Sequence, residues 1–326
     1  MHIAATPLRM SFCGGGTDLP AFYQEEFGCV VSATMNRYIY HVAHENFEGN
    51  YLLKYRKTEE TPDIDAIQHP LFREALRKYP PARPIELGSM ADIPSQGSGL
   101  GSSSAFCVGL VNLLSSMQGK QLSAEQLAQE AVDIEINRLK DPIGKQDQYA
   151  VAYGGLNFIR FNPDESVKVE PLRLPQSTLT ELEESLLLVY TGDSRSAGLI
   201  LAAQRENTKS GAVNAHLQQL KTLALEMRDA LRAADCTTFG DLLRRNWESK
   251  RQLAAGITND RVDAIVNAGM KAGAQGAKLL GAGQGGFVLF AVPEGRRALV
   301  RQALSDYRQV QVRLSMRGSR MLYDSG

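Results

Sequence analysis

The stretch "PSQGSGLGSSSA" at residues 94–105 constrains the fold more than any other in the chain, because three glycines and five serines stand directly ahead of an apolar run. Gly97, Gly99 and Gly101 permit positive φ and close backbone approach. Ser103 and Ser104 open a helix expected over 103–117. A helix start leaves unpaired N–H groups and the positive end of its dipole facing out of the loop, a setting that suits an anion. Two better-known phosphate loops do not fit. A GxGxxG run needs glycine where the chain has Ser102 or Ser104, and GxxxxGK[ST] needs a lysine that is absent. Taken alone, the stretch is a turn or an anion site.

It is not alone. "RMSFCGGGTDLP" (9–20) and "LLGAGQGGFVLF" (279–290) are also glycine-rich, and each lies beside an expected strand or helix end. Between the second and third runs stand Glu135 and Asp147. An acid on a helix and another just after Gly144 suit one cation and one hydroxyl, and equally suit a pair of surface charges.

The chain's 326 residues, 43% of them hydrophobic, allow one large or two modest domains with a sizeable core. Lysine plus arginine equals aspartate plus glutamate at 36 each, so the field that nucleic-acid and anionic-membrane binders use is missing. Cys13, Cys29, Cys107 and Cys236 are scattered with no CxxC, which suits reduced, buried thiols. No apolar run reaches the ~18 residues a bilayer span requires. A cytoplasmic, soluble monomer or homodimer is expected, with no nucleic-acid or membrane partner.

Strands are expected at 3–12, 28–35, 37–45, 50–56 and 83–90, and a helix over 65–79 limited by Pro70. Helices follow at 103–117, 123–139 and 144–153, the second opened by a Ser123/Gln126 capping box. A strand pair comes next, and the Pro-containing stretch 171–184 is the candidate boundary. From 196 to 273 helices dominate, and Val213, Leu217, Leu220, Ala224, Met227 and Leu231 mark one core face. The end returns to strand and helix alternation, giving an α+β class.

The three loops in this order, with the acid pair between the second and third, resemble the GHMP kinase superfamily of small-molecule kinases. The second motif is met at 94–105 with one extra residue after Pro94, and the third at 281–286. The resemblance implies a two-domain α+β fold with an N-terminal domain of a ribosomal-protein type (1–180) and a ferredoxin-like C-terminal domain (181–326). It implies ATP and Mg²⁺ as cofactors. For ATP it implies Pro94, then Gly97, Ser98, Gly99, Leu100 and Gly101 of the loop, then Ser102, Ser103 and Ser104 of the helix start. Ser103 and Glu135 match the family's metal ligands, Asp147 its catalytic base, and Arg9 the arginine beside the reacting hydroxyl. Asp18 matches a sugar-binding aspartate, reached through Gly14, Gly15, Gly16 and Thr17, while Gly283, Gly285 and Gly286 close over nucleotide and substrate.

Galactokinases carry Glu and His where this chain has Gly15 and Gly16, which puts galactose in doubt. "RMSFCGGGTDLP" and "YTGDSRSA" (190–197) are instead similar to the D-glycero-D-manno-heptose 7-phosphate kinase group, which phosphorylates the anomeric hydroxyl in nucleotide-heptose synthesis. That resemblance makes Arg195, with Ser194 and Ser196, a candidate for the substrate's existing phosphate, against a plain turn role. The alternatives are a fucokinase-like or mevalonate-type kinase, a decarboxylating lyase of the same fold, and a non-catalytic sugar or ATP sensor.

Overall fold

The computed structural model describes residues 1–94, 97–192 and 198–325. Twelve strands form among them: β1 (His2–Cys13), β2 (Gly28–Glu45), β3 (Tyr51–Lys54), β4 (Thr58–Thr61), β5 (Ile85–Ala91), β6 (Leu156–Phe161), β7 (Val167–Pro171), β8 (Leu186–Tyr190), β9 (Gly276–Leu279), β10 (Phe287–Ala291), β11 (Gln309–Gln311) and β12 (Arg320–Asp324). The first sheet runs β12-β1-β2-β5-β3-β4, with β6 on β2 and β7 on β6. Its last member, β12, comes from the far end of the chain.

Two strands expected at 28–35 and 37–45 are one. Asn36 and Arg37 do not turn the chain; the register against β1 jumps from Pro7↔Tyr38 to Leu8↔Met35, so the pair bulges out and the strand continues. This length matters, because β2 serves two neighbours on one side. Its first part, from Gly28, pairs with β6, and its last part, from Ile39, pairs with β5. The helices Ser102–Met117 and Gln146–Tyr153 pack on β1 and β2, with Val108, Leu110, Val111 and Val151 fully buried.

The second sheet is antiparallel in the order β11-β8-β10-β9. In chain order that is 4-1-3-2, the ferredoxin-like arrangement. The fold is the two-sheet α+β architecture that the sequence implies. The helix Asn214–Arg232 joins the two halves: Leu217 and Leu220 lie in the second core, whereas Ala224, Met227 and Leu231 lie in the first. The spaced apolar face is therefore a packed face shared by two cores.

Three local features differ from expectation. Pro70 begins its helix (Pro70–Lys78) at the first position, after a short 3₁₀ turn at Ile64–Ala66. The stretch 171–184 holds the helix Gln176–Ser185. The helix from Ala124 gives way at Asp133–Arg138 to a π-helical turn, while the Ser123/Gln126 capping box forms as expected. Among the described residues no helix is long and apolar enough to cross a membrane. Cys13, Cys29 and Cys107 are buried, and Cys236 is partly so.

Candidate active site

The second glycine run opens the helix Ser102–Met117 without a side-chain cap; Gly101, at φ +70, is the cap residue. The N–H groups of the first turn therefore face the loop's concave side. The third run is pressed against this loop backbone to backbone. A Cβ on Gly99, which has φ +74, would stand 2.2 Å from the Leu280 carbonyl oxygen, and one on Gly281 would stand 2.5 Å from Gly99 Cα. No side chain fits between the two runs.

Between these runs and the turn at Gly14–Asp18 lies a cavity of about 540 Å³. The turn is fixed from within. Thr17, fully buried, holds its hydroxyl 2.9 Å from the carbonyls of both Gly14 and Cys29 and accepts from the Cys29 amide, and the Gly14 amide donates to Asn246 Oδ1 at 3.0 Å. Asp18 is 2% exposed and accepts from the amides of Gly16 and Gln146 and from Gln146 Nε2, at 3.0–3.2 Å. Burial raises its pKa. Gly144 is required beside it, because a Cβ there would lie 2.0 Å from Asp18 Oδ2.

The two carboxylates singled out between the loops take different positions. Asp147, in the first turn of Gln146–Tyr153, lines the cavity. Arg9 on β1 grips it with both forks: Nε donates to Oδ1 and Nη2 to Oδ2, each at 2.6 Å, while Nη1 donates to the Gly99 carbonyl at 2.6 Å. One guanidinium thus fixes the acid and the glycine loop together. Glu135 lies behind the cavity wall, fully buried on the π-helical turn. It accepts from Ser103 Oγ at 3.0 Å, Ser104 Oγ at 2.8 Å and Gln148 Nε2 at 2.6 Å. Burial outweighs these bonds and pushes its pKa up to about 7.

Of the other expected site residues, Gly15, Gly16, Gly97, Ser98, Gly99 and Gly101 line the cavity, as do Ser102, Ser103 and Ser104. Pro94, Leu100, Gly14 and Thr17 do not. Leu100 is wholly in the core. In the third run Gly281 and Ala282 reach the cavity, and Gly283, Gly285 and Gly286 do not. Gly283 packs on Ile257, and Gly286 packs on the carbonyls of Gly97 and Ser98 and so backs the second loop. Arg195 lies outside the described residues.

Sequence reasoning missed Lys250 and Lys278, both cavity-lining and nearly buried. Lys278 Nζ donates to the carbonyls of Ser11 and Phe12 at 2.8 and 2.9 Å, tying β9 to the end of β1. Burial lowers its pKa to about 7 and that of Lys250 to about 8. The available signal was Lys278 in the middle of "GAKLL", a charge within a short apolar strand.

Comparisons with known proteins give the family. The N-terminal GHMP kinase family model matches residues 67–155 and the C-terminal model residues 227–308, together just over half of the chain. The D-glycero-alpha-D-manno-heptose 7-phosphate kinase of Campylobacter jejuni is 29% identical over 92% of this chain and 91% of its own. The L-fucokinase/L-fucose-1-P guanylyltransferase of Bacteroides fragilis is 30% identical over 74% of this chain, a match that spans 25% of that larger protein. The crystal structure of a D-glycero-D-manno-heptose 1-phosphate kinase from Bacteroides thetaiotaomicron superposes with a TM-score of 0.82 at 23% identity, covering 100% of both chains. The chain belongs to the GHMP kinase family. It is a sugar kinase of that family, a phosphotransferase with an alcohol group as acceptor.

Proposed function

We propose that the acceptor is the anomeric hydroxyl of a heptose 7-phosphate, with ATP as donor, in the supply of a nucleotide-activated heptose. The observation that carries the proposal is the Arg9–Asp147 pair, standing in one cavity with a glycine-and-serine helix start on one side and Asp18 on the other. Phosphoryl transfer asks mainly for alignment and charge neutralisation, and this cavity offers both. The amides of 97–104 receive the phosphate chain. Asp18 and the Gly14–Thr17 turn hold the sugar. Asp147 orients the attacking hydroxyl and takes its proton as the new oxygen–phosphorus bond forms and the bond to the nucleoside diphosphate breaks. Arg9 keeps Asp147 aimed and offsets charge beside the attacking oxygen.

Ser103 and Glu135 are the residues proposed to hold Mg²⁺, which when bound neutralises charge on the phosphates. They suit it: the hydroxyl and carboxylate are already paired at 3.0 Å. A divalent cation favours the ionised form of a carboxyl that burial otherwise holds at about 7. With two protein ligands, the rest of the Mg²⁺ shell would fall to phosphate oxygens and water. We divide the chain near residue 180, with β12 added to the first unit, and assign Arg195 to the substrate's phosphate.

The 29% relative named for a heptose 7-phosphate supports this substrate, and the fucokinase-bearing relative supports the runner-up, an unphosphorylated sugar. An ATP-consumption screen over sugars and sugar phosphates, with the product's phosphate position read by NMR, decides between them. Turnover of heptose 7-phosphate to a 1,7-bisphosphate is expected. Preference for fucose or another free sugar would replace the proposal with the runner-up.

A further inference from the structure

Among the described residues three cationic side chains line the cavity, and two of them are already engaged. Arg9 gives three of its five N–H donors to Asp147 and the Gly99 carbonyl and has its charge paired by Asp147, and Lys278 gives two of its three to backbone carbonyls. Lys250 is different. It ends the helix Phe239–Lys250, is 7% exposed, and its one hydrogen-bond partner among the described residues is Gln204 Oε1 at 3.2 Å. No carboxylate pairs with it at salt-bridge distance among those residues. Gln204 is itself 2% exposed, and its amide nitrogen stands 2.9 Å from where a Cβ on Gly16 would be. The ammonium is therefore anchored next to the Gly14–Asp18 turn with two N–H donors still free.

Removing an ammonium from water costs several kcal/mol unless a counter-ion repays it. Asp18 and Asp147 are near enough to favour its charge, while Arg9 opposes it. Neither acid is its partner, since Asp147 is engaged by Arg9 and Asp18 by the amides of Gly16 and Gln146. A buried cation with spare donors, facing a cavity, is arranged for an anion that arrives with the ligand.

We propose that Lys250, held by Gln204, receives a phosphate oxygen of a ligand bound in this cavity. The kinase reading supplies two sources for that oxygen: a phosphate already on the sugar, and the phosphoryl group in transfer. Removing the charge separates them. Lys250→Met keeps the length and the packing of the stem, and Lys250→Gln keeps a donor for Gln204 should the methionine variant fail to fold. Both are assayed as intact chains with the sugar phosphate and with the same sugar lacking its phosphate.

A KM about 10- to 100-fold higher for the sugar phosphate alone assigns Lys250 to the resident phosphate. A kcat about 10- to 100-fold lower with both sugars assigns it to the transferred group. Values of kcat and KM within twofold of the parent for both sugars would overturn the proposal. So would an equal rise in KM for both sugars at unchanged kcat, which would make the lysine a ligand of sugar hydroxyls. A second readout needs no turnover: inorganic phosphate should raise the Tm of the parent protein more than that of the variants, which keep the glycine-loop amides; an equal rise counts against the lysine. If the parent phosphorylates no sugar, the kinase reading fails by itself. The lysine assignment then stands or falls on whether that phosphate-dependent rise differs between parent and variant.

Discussion

Gly99→Ala is the sharpest test of the interlocked loops. The added methyl would sit 2.2 Å from the Leu280 carbonyl oxygen and 2.7 Å from its carbon, both backbone atoms that have no rotamer to change. Two costs are involved. An L-residue at φ +74 loses about 1–2 kcal/mol, and an overlap of this kind in a packed interior costs about 1–3 kcal/mol more. Gly49→Ala carries only the first, since Gly49 has φ +77 and nothing within 4 Å of a Cβ, so the difference between the two variants isolates the second. Thermal unfolding of the pair should place Gly99→Ala lower, by on the order of 5 °C. If the loops part to relieve the overlap, the strain is instead drawn from nucleotide affinity, about 5- to 150-fold in Kd for ATP by calorimetry. Equal unfolding midpoints together with unchanged ATP affinity would refute the claim that the third run holds the second in shape.

Asp147→Asn should lower kcat by about 10²–10⁴-fold while ATP binding persists, because the amide still reaches Arg9 but no longer accepts a proton; near-normal turnover would remove Asp147 from the chemistry. Glu135→Gln should raise the Mg²⁺ concentration for half-maximal rate at least about tenfold, measured by titrating the metal at fixed ATP. Lys278 has a pKa lowered from 10.5 to about 7, so above pH 7 the folded chain lacks a proton that the unfolded chain still binds. Its contribution to stability is therefore present at high pH and is lost as pH falls through about 7. The stability of the parent relative to Lys278→Met should rise between pH 7 and 10 by up to about 1.4 kcal/mol per unit, read from denaturant midpoints; a flat difference would contradict the lowered value.

The glycine runs were legible because close backbone approach demands glycine, whatever else the chain does. What they approach was harder to read. Gly283 and Gly286 read as substrate contacts from their motif, yet they face Ile257 and the second loop, because contact partners of a loop are set by tertiary placement. Glu135 and Asp147 read as a pair flanking one site, while the fold puts Glu135 behind the serines and Asp147 in front. A π-helical turn shifts helix phase by a fraction of a turn, which residue spacing does not reveal. Lys250 resembles any lysine at the end of an amphipathic helix, where a charge is ordinary. Its burial depends on Gln204 and the Gly16 turn, far away in sequence.

The pairing of β12 with β1 has a consequence for how the protein is made. Arg9 and the Gly14–Asp18 turn belong to or follow β1, which is synthesised long before residues 320–324, yet the outer edge of β1 at His2–Ala5 is covered only when those residues have been added. Until then a nascent chain carries an uncovered strand edge, the kind of surface on which growing chains associate. Ribosome stalling or truncation ahead of residue 320 should therefore yield aggregates sooner than it yields a slow enzyme. Because His2 lies opposite Asp324, a circular permutant that places residues 320–324 ahead of β1 through a short linker would remove that dependence on timing.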